Sequence, residues 1–70
     1  MQVQVMVFLD IDDKVADRRN PDLKTVTPER RQMLVEQGTQ SIVEIALKKH
    51  FEESEGVKVG FVKADVVPEF

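Results

Sequence analysis

The chain has no cysteine and a single histidine among its 70 residues. The missing thiols exclude a disulfide framework and a thiolate zinc site, and one histidine excludes a His-rich metal site. Tryptophan and tyrosine are also absent, so few side chains are suited to stacking on bases or sugars. No run approaches the roughly 20 apolar residues of a membrane span. We therefore expect a cytoplasmic protein with no cofactor and no membrane partner.

The chain length predicts one small domain over residues 1–70. A hydrophobic content of 41% and a charged content of 33% are typical of a folded chain. A domain of this size has a small core and is usually stabilised further by disulfides, a metal or a partner chain. Because the first two are not supported, the composition favours a protein partner. We expect a homo-oligomer or a complex with a heterologous protein.

Alternating apolar residues predict strands at both ends of the chain. The first series has a strict period of two, which is typical of a strand with one buried face; it comprises Val3, Val5, Val7, Leu9 and Ile11. A second series starts at Val57 and slips out of phase near Phe61, which indicates a bulged strand that ends before Pro68.

A long helix is predicted between these strands, over residues 28–55. Thr27 suits the N-cap position and Pro28 the first helical position, while Gly56 suits the position just past the helix end. The helix carries two apolar stripes. The first comprises Leu34, Val35, Gly38, Ile42, Ile45 and Ala46, and the second comprises Val43, Leu47 and Phe51.

Residues 12–26 read as a polar connection with a turn at Asn20-Pro21-Asp22. If this connection only crosses back, the two long strands are parallel in a right-handed β-α-β unit. If residues 23–26 form a short strand, the order becomes β-β-α-β. We favour the second arrangement. The predicted fold class is α+β, with one long helix packed on a two- to three-stranded sheet in the order β-(β)-α-β.

The second stripe is the leading candidate for an interaction surface. A sheet of two or three strands covers one side of a helix, which leaves Val43, Leu47 and Phe51 without a partner. The alternative is that the end of the chain, with Val66, Val67 and Phe70, folds over this stripe. The first interpretation predicts a small non-catalytic protein-interaction or assembly module that binds itself or another protein.

A basic segment supports a second interpretation. Residues 14–31 contain six basic and three acidic residues, whereas the whole chain has a net charge of −3. Arginines beside a helix N-terminus are suited to phosphate or nucleic acid; those in the segment are Arg18, Arg19, Arg30 and Arg31. The alternative is a solvated loop whose cations offset the acidic remainder of the chain.

The sequence Phe8-Leu9-Asp10-Ile11-Asp12-Asp13 supports a third interpretation. It resembles the first motif of the haloacid-dehalogenase-like phosphotransferases, in which an apolar strand ends in Asp-x-Asp. The resemblance implies a Mg²⁺-dependent phosphotransfer enzyme with Asp10 as nucleophile and Asp12 as acid/base. Lys14 stands where that family usually has threonine. Alternatively, the two acids bind a cation without catalysis, or they lie on the solvent face of the predicted strand.

Overall fold

A computed structural model describes residues 1–67, and every regular element within them is helical. Helix α1 spans Asp13–Arg19, a 3₁₀ turn spans Pro21–Lys24, and helix α2 spans Pro28–Phe51. Residues 1–12 precede α1 without regular structure, and residues 57–67 follow α2 in the same way.

Helix α1 begins at a side-chain cap. The Asp12 carboxylate accepts hydrogen bonds from the backbone amides of Lys14 at 2.8 Å and Val15 at 3.3 Å. An acid lies in the first turn, and two arginines, Arg18 and Arg19, lie in the last turn. Each of these charges interacts favourably with the nearer end of the helix dipole. A helix of seven residues is nevertheless too short to be stable alone, so α1 depends on contacts with the rest of the chain.

Helix α2 begins as predicted. The Thr27 hydroxyl accepts a hydrogen bond from the Arg30 amide at 3.2 Å, and Pro28 is in the first helical turn. The helix runs without a break through Gly38 and ends at Phe51, so the predicted end at residue 55 was wrong. The residues after Phe51 include three glutamates, which are unfavourable at the negative end of the helix dipole. They form turns instead, and Gly56 adopts a φ of 81° there.

The predicted α+β fold class is wrong, because the described residues contain helices and a 3₁₀ turn but no strand. Residues 1–11 have the alternation of a strand, yet their side chains are exposed on both faces. An alternating pattern determines which face of a sheet each side chain occupies once the strand is paired. It does not provide the neighbouring strand whose backbone forms the hydrogen bonds. Because the described residues contain no pair of strands, both predicted topologies are wrong.

The predicted short strand at residues 23–26 is also wrong, although the turn at Asn20-Pro21-Asp22 is confirmed. The Leu23 amide donates to the Asn20 carbonyl at 3.1 Å, and the Thr25 amide donates to the Asp22 carbonyl at 3.1 Å. These i to i+3 bonds define a 3₁₀ turn, so the local hydrogen bonds of the turn take the place of strand pairing.

The predicted strand over residues 57–66 is replaced by a segment that returns along α2; its predicted end at Pro68 lies outside the described residues. The Ala64 amide donates to the side-chain oxygen of Gln40 at 3.2 Å, and the Val66 amide donates to Glu36 at 2.8 Å. Two residues of extended chain span about 6.6 Å and four helical residues about 6 Å, so the spacing of the two partners matches. The returning segment therefore runs antiparallel to α2.

The described chain has very little core, since Leu23 is its only buried residue. The accessible surface is 6751 Å², whereas a folded monomer of this mass exposes about 4450 Å². The radius of gyration is 14.4 Å, compared with about 11 Å for a folded chain of this length. The protein is thus helical but open, with apolar surface that it does not cover itself.

Candidate interaction surface

The largest exposed apolar surface belongs to residues 1–11. Val3 is 79% exposed, Val5 is 76% exposed and Phe8 is 68% exposed. Half of the large exposed apolar side chains of the described chain lie in this segment: Met1, Val3, Val5, Met6, Val7, Phe8, Leu9 and Ile11. Isolated exposed apolar residues are ordinary on protein surfaces, but a contiguous series of this kind marks an interaction site.

A groove of about 400 Å³ lies between α1 and α2. Leu23, Leu34 and Ile42 contribute to its apolar lining, and Ile11 lines it at the junction between residues 1–11 and α1. Arg19 also lines the groove. The groove therefore connects the exposed segment 1–11 with the first apolar stripe of α2.

The two stripes of α2 differ in exposure. In the first stripe, Ile42 is 70% exposed and Ile45 is 66% exposed. In the second stripe, Val43 and Leu47 are half-buried, while Phe51 is 49% exposed. At 100° per residue, Val43 and Leu47 share a helix face with Glu36 and Gln40, which bind the returning segment. The structure thus places more uncovered apolar surface on the first stripe than on the second.

Arg31 joins three parts of the chain. Its guanidinium donates hydrogen bonds to the carboxylate of Asp17, to that of Asp13 at 3.1 Å, and to the Leu23 carbonyl at 3.2 Å. The hydrogen bond to Asp17 and then that to Asp13 raise the pKa of Arg31 above its ordinary value. Arg31 is therefore a structural link between α2, α1 and the 3₁₀ turn, and two carboxylates already balance its charge.

The link through Arg31 was missed from the sequence, although the sequence carries a signal for it. Asp13 and Asp17 are four residues apart, and like charges at this spacing destabilise a helix unless a cation lies between them. A pair of acids on one face of a short helix therefore predicts a basic partner elsewhere in the chain. The sequence does not specify which basic residue that partner is.

The other arginines of the basic segment lie at different positions. Arg18 and Arg19 occupy the last turn of α1, and Arg30 lies in the first turns of α2. The Arg30 guanidinium donates to the sulfur of Met33 at 3.4 Å. The structure therefore distributes the four predicted anion contacts over two helix ends and uses Arg31 for an internal contact.

The structure separates the roles of Asp10 and Asp12. Asp12 accepts two backbone amides as the cap of α1, whereas Asp10 is an exposed residue of the segment before it. The strand that precedes the first aspartate in the phosphotransferase motif is not formed by residues 1–11. Among residues 1–67, no three side chains of the His, Cys, Asp and Glu types are grouped as metal ligands.

Comparisons with known proteins identify no relative. No protein-family model matches the chain, and neither a curated protein nor a solved structure matches it. Within residues 1–67, the helices are too short or too polar to cross a membrane.

Proposed function

We propose that this protein is a non-catalytic interaction module that completes its core on another protein chain, either a second copy or a heterologous partner. The observation that supports this proposal is the accessible surface of 6751 Å², which exceeds the expected value of about 4450 Å² by about 2300 Å². A specific interface of standard size buries about 800 Å² per partner. The surplus is large enough for such an interface.

The energy of association supports a contact through many side chains. Burial of one exposed isoleucine or phenylalanine contributes about 1.5–3 kcal/mol, while association costs about 4–15 kcal/mol in lost rigid-body freedom. A contact through Val43, Leu47 and Phe51 alone would be weak, because the first two are already half-buried. Residues 1–11 and the exposed stripe residues Ile42 and Ile45 offer the additional area.

The two alternative functions receive less support. A phosphate or nucleic-acid site in residues 14–31 would have to work without Arg31, which Asp13 and Asp17 engage. A Mg²⁺-dependent phosphotransfer site at Asp10 and Asp12 would have to share the Asp12 carboxylate with the cap of α1, which already engages its Oδ1. A cytoplasmic location stays a prediction from composition.

Two measurements on the whole chain test the proposal. Sedimentation equilibrium at tens of micromolar determines whether the chain associates, and urea unfolding gives an m-value, which scales with the surface exposed on unfolding. We expect either self-association or a monomer whose m-value is well below that of a finished domain of this length. A monomer with a sharp transition and a full m-value has a complete core and would contradict the proposal.

A further inference from the structure

We infer that the partner is a second copy of this chain, and that residues 2–10 of the two copies pair antiparallel about a two-fold axis at Met6. This inference rests on the proposed function and specifies its partner and contact. The pairing is between chains, so each chain keeps the helical fold described above.

The backbone of residues 1–11 is available for pairing. These residues form neither helix nor strand, and the backbone hydrogen bonds of the described turns and caps begin only at Asp12. Their side chains are exposed. An extended apolar segment with open amides and carbonyls is a template for strand addition from another chain.

The composition of the segment favours its own copy as the partner. Residues 2–9 contain no charged residue and no proline. Proteins use lysine, other charges and proline on exposed strand edges to prevent pairing between identical molecules. Residues 2–9 have none of these, so no like charges repel and no proline removes a backbone donor when two copies of the segment pair. This holds although each chain has a net charge of −3.

The acids that follow the segment determine its direction. Asp10, Asp12 and Asp13 follow residues 2–9 directly. In a parallel, in-register pair each acid would lie about 5 Å from its own copy, and like charges directly opposite are destabilising. In an antiparallel pair centred on Met6, the two copies of Asp10 are separated by eight strand residues, about 27 Å. That separation is well beyond the Debye length of about 8 Å at physiological salt.

The alternation allows only registers that place odd-numbered residues opposite odd-numbered residues, and of these the axis at Met6 pairs the series from Val3 to Leu9 with itself while Ile11 stays in the groove. With Met6 on the axis, Val3 lies opposite Leu9 and Val5 lies opposite Val7, so the odd-numbered apolar residues share one face. A slip by one residue would place the apolar face of one strand beside the polar face of the other. Ile11 belongs to the odd-numbered series and lines the groove with Ile42. The apolar face of the pair is therefore continuous with the uncovered stripe of α2.

The chain has no native cysteine, which allows a direct test by disulfide cross-linking. In the proposed pair, the two copies of position 6 lie directly opposite each other, near the Cβ separation of about 4 Å that a disulfide needs. The copies of position 2 lie about 27 Å apart. Met6→Cys and Gln2→Cys are thus matched variants, since both positions are exposed in the single chain and, as even-numbered residues, would project from the same side of the proposed strand.

Both variants are oxidised at tens of micromolar, with a sample in denaturant as the baseline. We expect a covalent dimer of Met6→Cys and no dimer of Gln2→Cys above that baseline. Equal cross-linking of both variants would indicate a parallel pair and would overturn the inference. Cross-linking of neither, in a chain that sediments as a dimer, would overturn the inference and leave the proposed function standing. A chain that sediments as a monomer overturns the inference, and only a full m-value in addition contradicts the proposed function.

Discussion

Arg31 of α2 donates a hydrogen bond to Asp17 of α1, which lies fourteen residues earlier in the chain, and this contact joins the two helices. The same guanidinium reaches Asp13 and the Leu23 carbonyl. One side chain thus fixes the position of α1 and the 3₁₀ turn on the long helix, in a chain whose core is too small to do so by packing.

Arg31→Lys should loosen α1 and the 3₁₀ turn while α2 stays helical. A lysine ammonium lacks the planar fork with which the guanidinium reaches several acceptors at once. Amide hydrogen exchange should therefore accelerate over residues 13–24 and change little in the middle of α2. Arg30→Lys is the matched control, because Arg30 makes a contact within its own helix. Equal exchange in both variants would contradict the role of Arg31.

Asp12 and Asp10 should differ in their effect on α1, although both belong to the same acidic motif. Asp12→Ala removes the acceptor of two backbone amides and should cost about 1 kcal/mol of local helix stability. Asp10→Ala should change stability by less than about 0.5 kcal/mol, as exposed substitutions usually do. Asp12→Asn should restore most of the loss, because asparagine is also a good cap.

The backbone chemical shifts of Val15 and Ala16 report on the start of α1 and measure these effects. An identical response to Asp10→Ala and Asp12→Ala would show that the cap does not hold α1. Loss of a metal-dependent phosphatase activity in Asp10→Ala would instead favour the phosphotransfer interpretation.

Gly38→Ala should stabilise α2 by about 1 kcal/mol, the difference in helix propensity between the two residues. An added Cβ at Gly38 meets no atom within 4 Å, so packing does not oppose the change. Gly56→Ala is the opposite control, because the φ of 81° at Gly56 is strained for alanine. Urea unfolding followed by far-UV ellipticity should show a higher midpoint for the first variant and a lower one for the second. A lower midpoint for Gly38→Ala would reveal a close contact at that position.

Gln40→Leu should release the returning segment near Ala64. The substitution removes the oxygen that accepts the Ala64 amide at 3.2 Å. A hydrogen bond of this kind contributes about 1 kcal/mol, which corresponds to roughly fivefold faster exchange of the Ala64 amide. Gln37→Leu, an exposed position on the same helix, should leave that amide unchanged. Unchanged exchange in Gln40→Leu would show that other contacts hold the segment.

Local signals in the sequence were sufficient for the start of α2 and for the turn after Asn20, because each is determined by neighbouring residues. Thr27 and Pro28 define the first turn of α2. Pro21 favours the 3₁₀ turn after Asn20 because its φ is fixed. Helix α1 was missed although its signals are equally local. Asp12 was interpreted as part of the Asp-x-Asp motif or of the solvent face of the predicted strand, which concealed its role as a cap.

The pattern alone could not have shown that residues 3–11 form no strand within the chain. Alternation in residues 3–11 describes a segment that would pair well, but pairing depends on a second edge that the described chain does not provide. The location of the candidate interaction surface also depends on contacts between residues that are distant in sequence. Ile42 and Val43 are equally apolar neighbours, and only the path of residues 57–67 decides that Val43 is the more covered of the two.

The small core also determines how the protein responds to temperature. The heat-capacity change of unfolding comes mainly from apolar surface that becomes exposed to water. It amounts to about 1 kcal/mol/K for a fully folded domain of 70 residues. This chain covers only about 40% of its unfolded surface. A single chain should therefore melt over a broad range with a small heat-capacity step. The step should grow towards the value of a finished domain once two chains enclose their exposed residues together.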